Sequence, residues 1–332
     1  MNINFNPINR TYTNNNQINS RVSFPNIAPL KQDTVSFKSK VPKPKDLMDL
    51  TNKEIIEICK STLLDKIPVG HGQEAVVYKM EKYPREYCIR VEKDAKTDLK
   101  KLKLDYNLND YDKANFVVAK LADGITLLRY ISGIPMKIMH NSDTPRGIQV
   151  KESLLALIAD NFSEEAFVNI IKQIEKNQTK GIFFDRKGEN LLVDPMIQEM
   201  TAIDFSPKFN DIEYNPIAYI YSALDVDSTE FAPKIFGKLC NAYAERLKDC
   251  NPKDLNLDVL DKNFYHRGFM DDAFNNFPDR DLLKETQDKL FNELIDAKLH
   301  KPKEEVNWLV DEFKSFVDDK LINYQAPRCE FY

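Results

Sequence analysis

The run FFDRKGENLLVD, Phe183 to Asp194, followed by TAIDFSP, Thr201 to Pro207, constrains this chain more than any other feature. Asp185 and Asn190 stand five residues apart, and Asp204 stands nineteen after Asp185. Short apolar runs bounded by turn residues are the mark that a buried strand leaves in a sequence. A polar loop from Asp185 to Asn190 is therefore expected to lead into apolar strand structure that ends in Asp204.

Two carboxylates and an amide in that order suit phosphoryl transfer. One carboxylate orients the attacking hydroxyl, and the amide and second carboxylate hold magnesium that bridges nucleotide phosphates. Such a site also needs close-approaching backbone N–H groups and a fixed cation. The segment KIPVGHGQEAVVYKM offers Gly70 and Gly72 between two β-branched, apolar stretches that read as strands. Glycine there permits positive φ and removes a Cβ that would obstruct phosphates. The same spacing also serves an ordinary hairpin turn. A third glycine is missing, with Ala75 at its place; the chain has nine glycines and none before Gly70. The next strand, EYCIRVEK, sets Arg90 among Cys88, Ile89 and Val91. A charge inside an apolar strand lies at an edge, faces solvent or points into a pocket. Arg90 is the candidate phosphate-facing cation.

With these residues in this order, roughly 65–210 resembles the protein kinase-like superfamily, which includes protein kinases and aminoglycoside phosphotransferase-type small-molecule kinases. The resemblance implies an α+β, two-lobed fold with a five-stranded antiparallel N-lobe sheet and a helical C-lobe. It implies ATP and magnesium as cofactors. Carried over by position, Asp185 is the catalytic base and Lys187 touches the transferred phosphate. Asn190 and Asp204 are the magnesium ligands, and Gly70, Gly72 and Arg90 hold phosphates. Tyr130 and Ser132, in the hinge-like YISGIP, offer backbone groups to an adenine edge. The chain also departs from the family. Phe183-Phe184 replaces His-Arg before Asp185, Ser206 replaces the glycine after Asp204-Phe205, and Arg90 replaces lysine, a swap that is not chemically neutral. The best stand-in for the family's glutamate partner is Asp98, on a short helix. The lost arginine before Asp185 argues against switching by activation-loop phosphorylation.

The first 45 residues are asparagine-rich and have no acid until Asp33. Their apolar residues are too sparse for a core, which predicts disorder. The tail reads either as a plain extension or as a secretion address of a bacterial effector. Residues 46–332 are expected to form the kinase-like domain, with its N-lobe over about 50–130 and its C-lobe over about 131–332. A helix over 51–63, capped by Thr51, precedes strands near 65–70, 75–80, 86–92, 115–121 and 124–131. Ala122 to Gly124 fits a tight hairpin turn. Ser163 caps a helix whose Phe167, Ile170, Ile171 and Ile174 fall at helical spacing. Beyond Asp204 the pattern is helical, with Trp308, Phe313 and Phe316 assigned to the core. His266 in FYHRGF reads as structural.

A net charge of −5 leaves no strong basic field, so nucleic acid is not favoured as a partner. The longest apolar runs, such as Leu154 to Ala159, are too short for a bilayer, and no standard secretory signal opens the chain. Five scattered cysteines predict a reducing compartment with no disulfide framework and no zinc site. A cytoplasmic protein, or an effector secreted through its tail, fits these features. Three functions compete: a protein kinase acting on hydroxyls, favoured by Lys187; a small-molecule kinase, for which Asp225, Asp227, Asp271 and Asp272 are candidate carboxylates; and a non-catalytic binding module, favoured by the departures.

Overall fold

The computed structural model describes residues 46–72, 74–96, 98–137, 144–209, 216–251 and 274–324. The Asn-rich tail, His266, Asp271, Asp272 and Cys329 lie outside the described residues.

Helix α1, Asn52–Asp65, begins with a capping box in which Thr51 and Glu54 each accept the other's backbone N–H. This satisfies two of the N–H groups that a helix start leaves orphaned. Its Ile55, Cys59 and Leu63 lie on one stripe and are buried. That stripe packs on an antiparallel sheet of β1 (Pro68–His71), β2 (Ala75–Lys79), β3 (Tyr87–Glu92), β4 (Val117–Ala122) and β5 (Ile125–Arg129). Strand order is β1-β2-β3-β5-β4. Tyr87 and Ile89 on β3, Ala119 and Leu121 on β4, and Ile125 and Leu127 on β5 are all fully buried. Their period of two puts one face of the sheet against α1. Asp123 and Gly124 form the turn between β4 and β5, with Gly124 at φ 67°. All five expected strands are present. A short helix that the pattern did not announce, α2 (Asp110–Ala114), sits between β3 and β4.

From β5 the chain passes through 130–133 into β6, Ile134–Pro135. This strand pairs with β8 (Leu191–Asp194), which pairs in turn with β9 (Glu199–Ala202). Strand β7, Phe183–Phe184, pairs antiparallel with β10, Phe205–Ser206. Helices α3 (Pro145–Asn161), α4 (Glu164–Gln178), α5 (Pro216–Leu224) and α6 (Ala232–Asp249) build a second apolar core around them. Ser163 caps α4 by accepting from Ala166 N–H, and the four apolar residues expected on its stripe are fully buried. Then come α7 (Arg280–Asp288), a π segment (Lys289–Leu294), α8 (Ile295–His300) and α9 (Lys303–Val317).

One core assignment is corrected. Trp308 is 62% exposed, whereas Phe313 is buried and Phe316 half-buried. The buried stripe of α9 is Val306, Val310, Phe313 and Val317, spaced four, three and four apart. Trp308 falls two residues from Val306 and from Val310, which turns it to the opposite side of the helix.

Candidate functional site

The loop after β7 is built by its own backbone. Lys187 N–H donates to Asp185 O at 2.7 Å and Asn190 N–H to Lys187 O at 2.9 Å. The Asn190 side chain closes the loop, its Nδ2 donating to Asp185 O at 3.1 Å. Phe184 explains why an aromatic stands before Asp185. It is buried, its ring 5.7 Å from that of Phe205. Gly188 is required by close packing: a Cβ there would lie 2.9 Å from Lys137 Cβ and 3.2 Å from Ala223 O.

Asp204 meets this loop at backbone level. Asp185 N–H donates to Asp204 O at 3.2 Å, and Ile203 N–H to Asn190 O at 2.8 Å. The two acids and the amide of the sequence pattern are thus adjacent. Asp204 is left-handed, at φ 62°, a conformation that costs a non-glycine residue roughly 1–2 kcal/mol. Two side-chain amides grip the chain on either side of it. Gln173 of α4 donates to Ala202 O at 2.8 Å and accepts Ala202 N–H at 3.0 Å. Asn115, which ends α2, donates to Phe205 O and accepts Phe205 N–H, both at 2.8 Å.

Arg90 lies on β3, a central strand and not an edge, paired across to Val77 and Thr126. Its guanidinium meets Glu92 at 2.9 Å. Asp98 is not its partner: it caps the 3-10 turn Leu99–Lys101 and pairs with Lys101. Residues 90 and 92 point to the same face of a strand, which a search for a helical glutamate overlooks. Asp204 keeps one side open to water, but surrounding atoms on the other and the nearby Asp185 push its carboxyl above the ordinary range, while Arg90 and Lys187 pull it back. Lys187 Nζ lies 2.8 Å from Asp185 Oδ2, and this hydrogen bond chiefly holds its ammonium above the usual lysine value. Tyr111 of α2 was missed by the sequence reading. Burial raises its hydroxyl, Arg90 lowers it, and Asp204 and Glu92 raise it further, so it shares the site's field.

Gly70 lies within β1 and Gly72 directly follows that strand, its N–H donating to Ala75 O at 2.8 Å across the β1–β2 connection. Neither has positive φ, and a Cβ on them would make only ordinary contacts, 3.8 Å to Val77 Cβ and 3.5 Å to Ala75 O. The hairpin itself does not require glycine at these positions, which corrects the positive-φ expectation. Tyr130 N–H is taken by Glu86 O, and Ser132 Oγ donates to Asp194 Oδ2 at 2.6 Å. Between Ser132 and β6, Gly133 at φ 141° passes so close to Leu192 that a Cβ would sit 2.9 Å from Leu192 Cβ.

A pocket of about 320 Å³ adjoins the loop through Lys137, which packs on Gly188 and also lines the cavity. Asp225 and Asp227 line it too, 2.7 and 2.9 Å from Lys151 Nζ. Burial works to lower the Lys151 ammonium, but these two carboxylates hold it above its ordinary value. Among the described residues there is no cluster of three or more His, Cys, Asp or Glu side chains set to hold a metal, and no helix long and apolar enough to cross a membrane.

No family model matches the chain, and no curated protein matches it by sequence. Among solved structures, the GDP complex of wild-type aminoglycoside 2'-phosphotransferase-IIIa is 12% identical, covering 80% of this chain and 99% of its own, with a TM-score of 0.26. The GDP complex of a single-substitution mutant of that enzyme is 11% identical, covering 82% and 100%, with a TM-score of 0.25. The chain is a mixed α/β protein with a five-stranded antiparallel sheet and helices.

Proposed function

We propose that the protein is an ATP- and magnesium-dependent phosphotransferase of two-lobed, protein kinase-like architecture, with a protein hydroxyl as acceptor. The observation that carries this reading is the meeting of Asp185, Asn190 and Asp204 through backbone hydrogen bonds, with Arg90 and Lys187 acting on Asp204.

The residues fit a magnesium ion. The Asp204 carboxylate is partly withdrawn from water and lies near Asp185, so a divalent cation would offset negative charge gathered there. Magnesium is commonly held by one or two protein ligands together with substrate phosphates, so the pair Asn190 and Asp204 suffices in number. Asp204 would hold it through its carboxylate and Asn190 through Oδ1, since its Nδ2 is given to Asp185 O. When bound, the ion neutralises charge on the transferring phosphoryl group.

Asp185 takes the acceptor hydroxyl's proton as the acceptor oxygen bonds to the γ-phosphorus and the bond to the β,γ-bridging oxygen breaks. Lys187 exchanges its contact with Asp185 for the moving phosphoryl group. Arg90, oriented by Glu92, binds phosphate oxygens beneath the Gly70–Gly72 segment, and the backbone of Tyr130 to Gly133 takes the base through groups other than the Tyr130 N–H, which is given to Glu86 O. Residues 46–332 act as one catalytic domain, with a tail that is either a plain extension of a cytoplasmic protein or the address of a secreted effector.

A small-molecule acceptor is the second reading, favoured by the pocket at Lys137, Asp225 and Asp227. Against it, the two carboxylates are already engaged by Lys151.

The test is incubation of the full chain with γ-labelled ATP, magnesium and generic protein acceptors, beside Asp185→Ala and Asp204→Ala. Label on protein that both substitutions remove supports the reading. Magnesium-dependent ATP binding without labelled protein moves the acceptor to a small molecule. Transfer that survives Asp204→Ala refutes the site assignment.

A further inference from the structure

We infer that Asn115 and Gln173 are positioning residues: their amides hold Asp204 in its left-handed conformation and so aim the carboxylate that would face magnesium. This inference rests on the reaction proposed above for its functional consequence, but its structural half stands alone.

Asn and Gln carry one acceptor and one donor group side by side, so either can satisfy both the N–H and the C=O of a single backbone residue, as a neighbouring strand would. Gln173 does this at Ala202 and Asn115 at Phe205. The other edges of these residues are already paired, Ala202 to Leu191 of β8 and Phe205 to Phe184 of β7. Ala202 and Phe205 are therefore fixed on both sides. Ile203 and Asp204 are the two residues between, and Asp204 carries the unfavourable φ. Backbone strain of this kind persists only where the surroundings over-determine it.

The two amides come from separate parts of the fold. Gln173 is on α4, under the loop. Asn115 ends α2, which is tied to the sheet by the Asp112–Lys120 pair at 2.7 Å and to the turn after α4 by the Asp110–Lys180 pair at 2.8 Å. Helix α2 thus spans from the sheet to the segment bearing Asp204, and Asn115 at its end bonds that segment. A solvent-facing or purely packing residue would have no reason to grip both polar groups of one backbone unit.

The experiment uses the full chain as wild type, Asn115→Ala, Asn115→Asp and Lys180→Ala. Lys180→Ala loosens α2 without touching the amide grip. ATP affinity is measured with excess magnesium and again in EDTA, and the ratio reports metal-assisted binding. Hydrogen exchange at Phe205 N–H is followed in parallel. Loss of a group that orients a metal ligand commonly weakens metal binding by about 10–100-fold, so Asn115→Ala should cut the magnesium-to-EDTA ratio at least about tenfold and speed exchange at Phe205. Lys180→Ala should leave the ratio at its wild-type value. Asn115→Asp retains size and acceptor but loses the donor, and should also lower the ratio; it decides the matter if the alanine variant does not fold. A folded Asn115 variant with wild-type ratio and wild-type exchange overturns the inference. Equal losses in Lys180→Ala and Asn115→Ala overturn it too, since general loosening of α2 would then suffice. If the wild type itself gains nothing from magnesium, the phosphotransferase reading falls, and unchanged Phe205 exchange in Asn115→Ala would then overturn the grip as well.

Discussion

Replacing Gly188 with alanine tests whether packing behind the Asp185–Asn190 loop sets its position. The added Cβ would be 2.9 Å from Lys137 Cβ, 3.2 Å from Ala223 O and 3.3 Å from Lys137 N. Backbone or Cβ atoms make all three contacts, so no flexible side-chain end can swing aside. Overpacking of this sort costs about 1–3 kcal/mol, and the lost freedom of the unfolded chain returns about 0.4–1 kcal/mol. A net destabilisation of about 1–2 kcal/mol follows, which for a domain of this size lowers Tm by about 2–8 °C. The alternative to strain is movement of the loop. A shift near 1 Å costs on the order of 100-fold in rate, and a few tenths of an ångström correspondingly less, so magnesium-dependent ATP turnover should fall about tenfold. Urea unfolding followed by circular dichroism gives the first quantity, and phosphate release gives the second. A Gly188→Ala protein as stable and as active as wild type would refute the close-packing argument.

Gly72→Ala should behave in the opposite sense, because its Cβ meets only ordinary contact with Ala75 O; stability stays level or rises by a few tenths of a kcal/mol, while ATP affinity drops if the turn covers phosphates, and an unfolded variant would contradict this. Asp204→Asn should stabilise the metal-free protein at neutral pH. The native carboxyl holds its proton more tightly than the unfolded one, so wild-type stability declines as pH rises from the unfolded value through the raised native one. The Tm advantage of the variant is therefore full near pH 7 and fades toward pH 3; an advantage independent of pH would disprove the charge origin. Trp308→Ser should change stability by less than about 0.5 kcal/mol, as befits an exposed site; a loss above about 2 kcal/mol in urea unfolding would show that the ring is packed.

Much of this architecture is written in short-range patterns. Thr51 with Glu54, Ser163 before Phe167, and the alternation around Ile89 and Leu127 each specify an element by local chemistry, and each element formed where expected. The pattern around Asp185, Asn190 and Asp204 predicts a polar loop leading into apolar strand structure; that structure is a hairpin, β8 and β9, which returns Ile203 and Asp204 to the loop. The parts that stayed hidden depend on contacts between distant residues. Asn115 and Phe205 are 90 residues apart, and Gln173 and Ala202 are 29 apart; no window of sequence displays such a pair. Trp308 misled because aromatic character suggests burial, whereas helical phase decides it. Gly188 falls in the polar loop and Gly133 in the hinge-like segment, and the neighbours that crowd them, Lys137 and Leu192, are found only in three dimensions.

The pairing of Arg90 with Glu92 bears on how such a site is governed. Cation and carboxylate ride on the same strand, two residues apart, and that strand is hydrogen-bonded on both edges. No sliding or swinging of one element against another can part them. An ion pair shared between a sheet and a mobile helix is a lever that a distant signal can pull; an ion pair inside one strand gives such a signal no purchase. Because Arg90 and Glu92 travel on one strand, their pairing is set as the sheet forms.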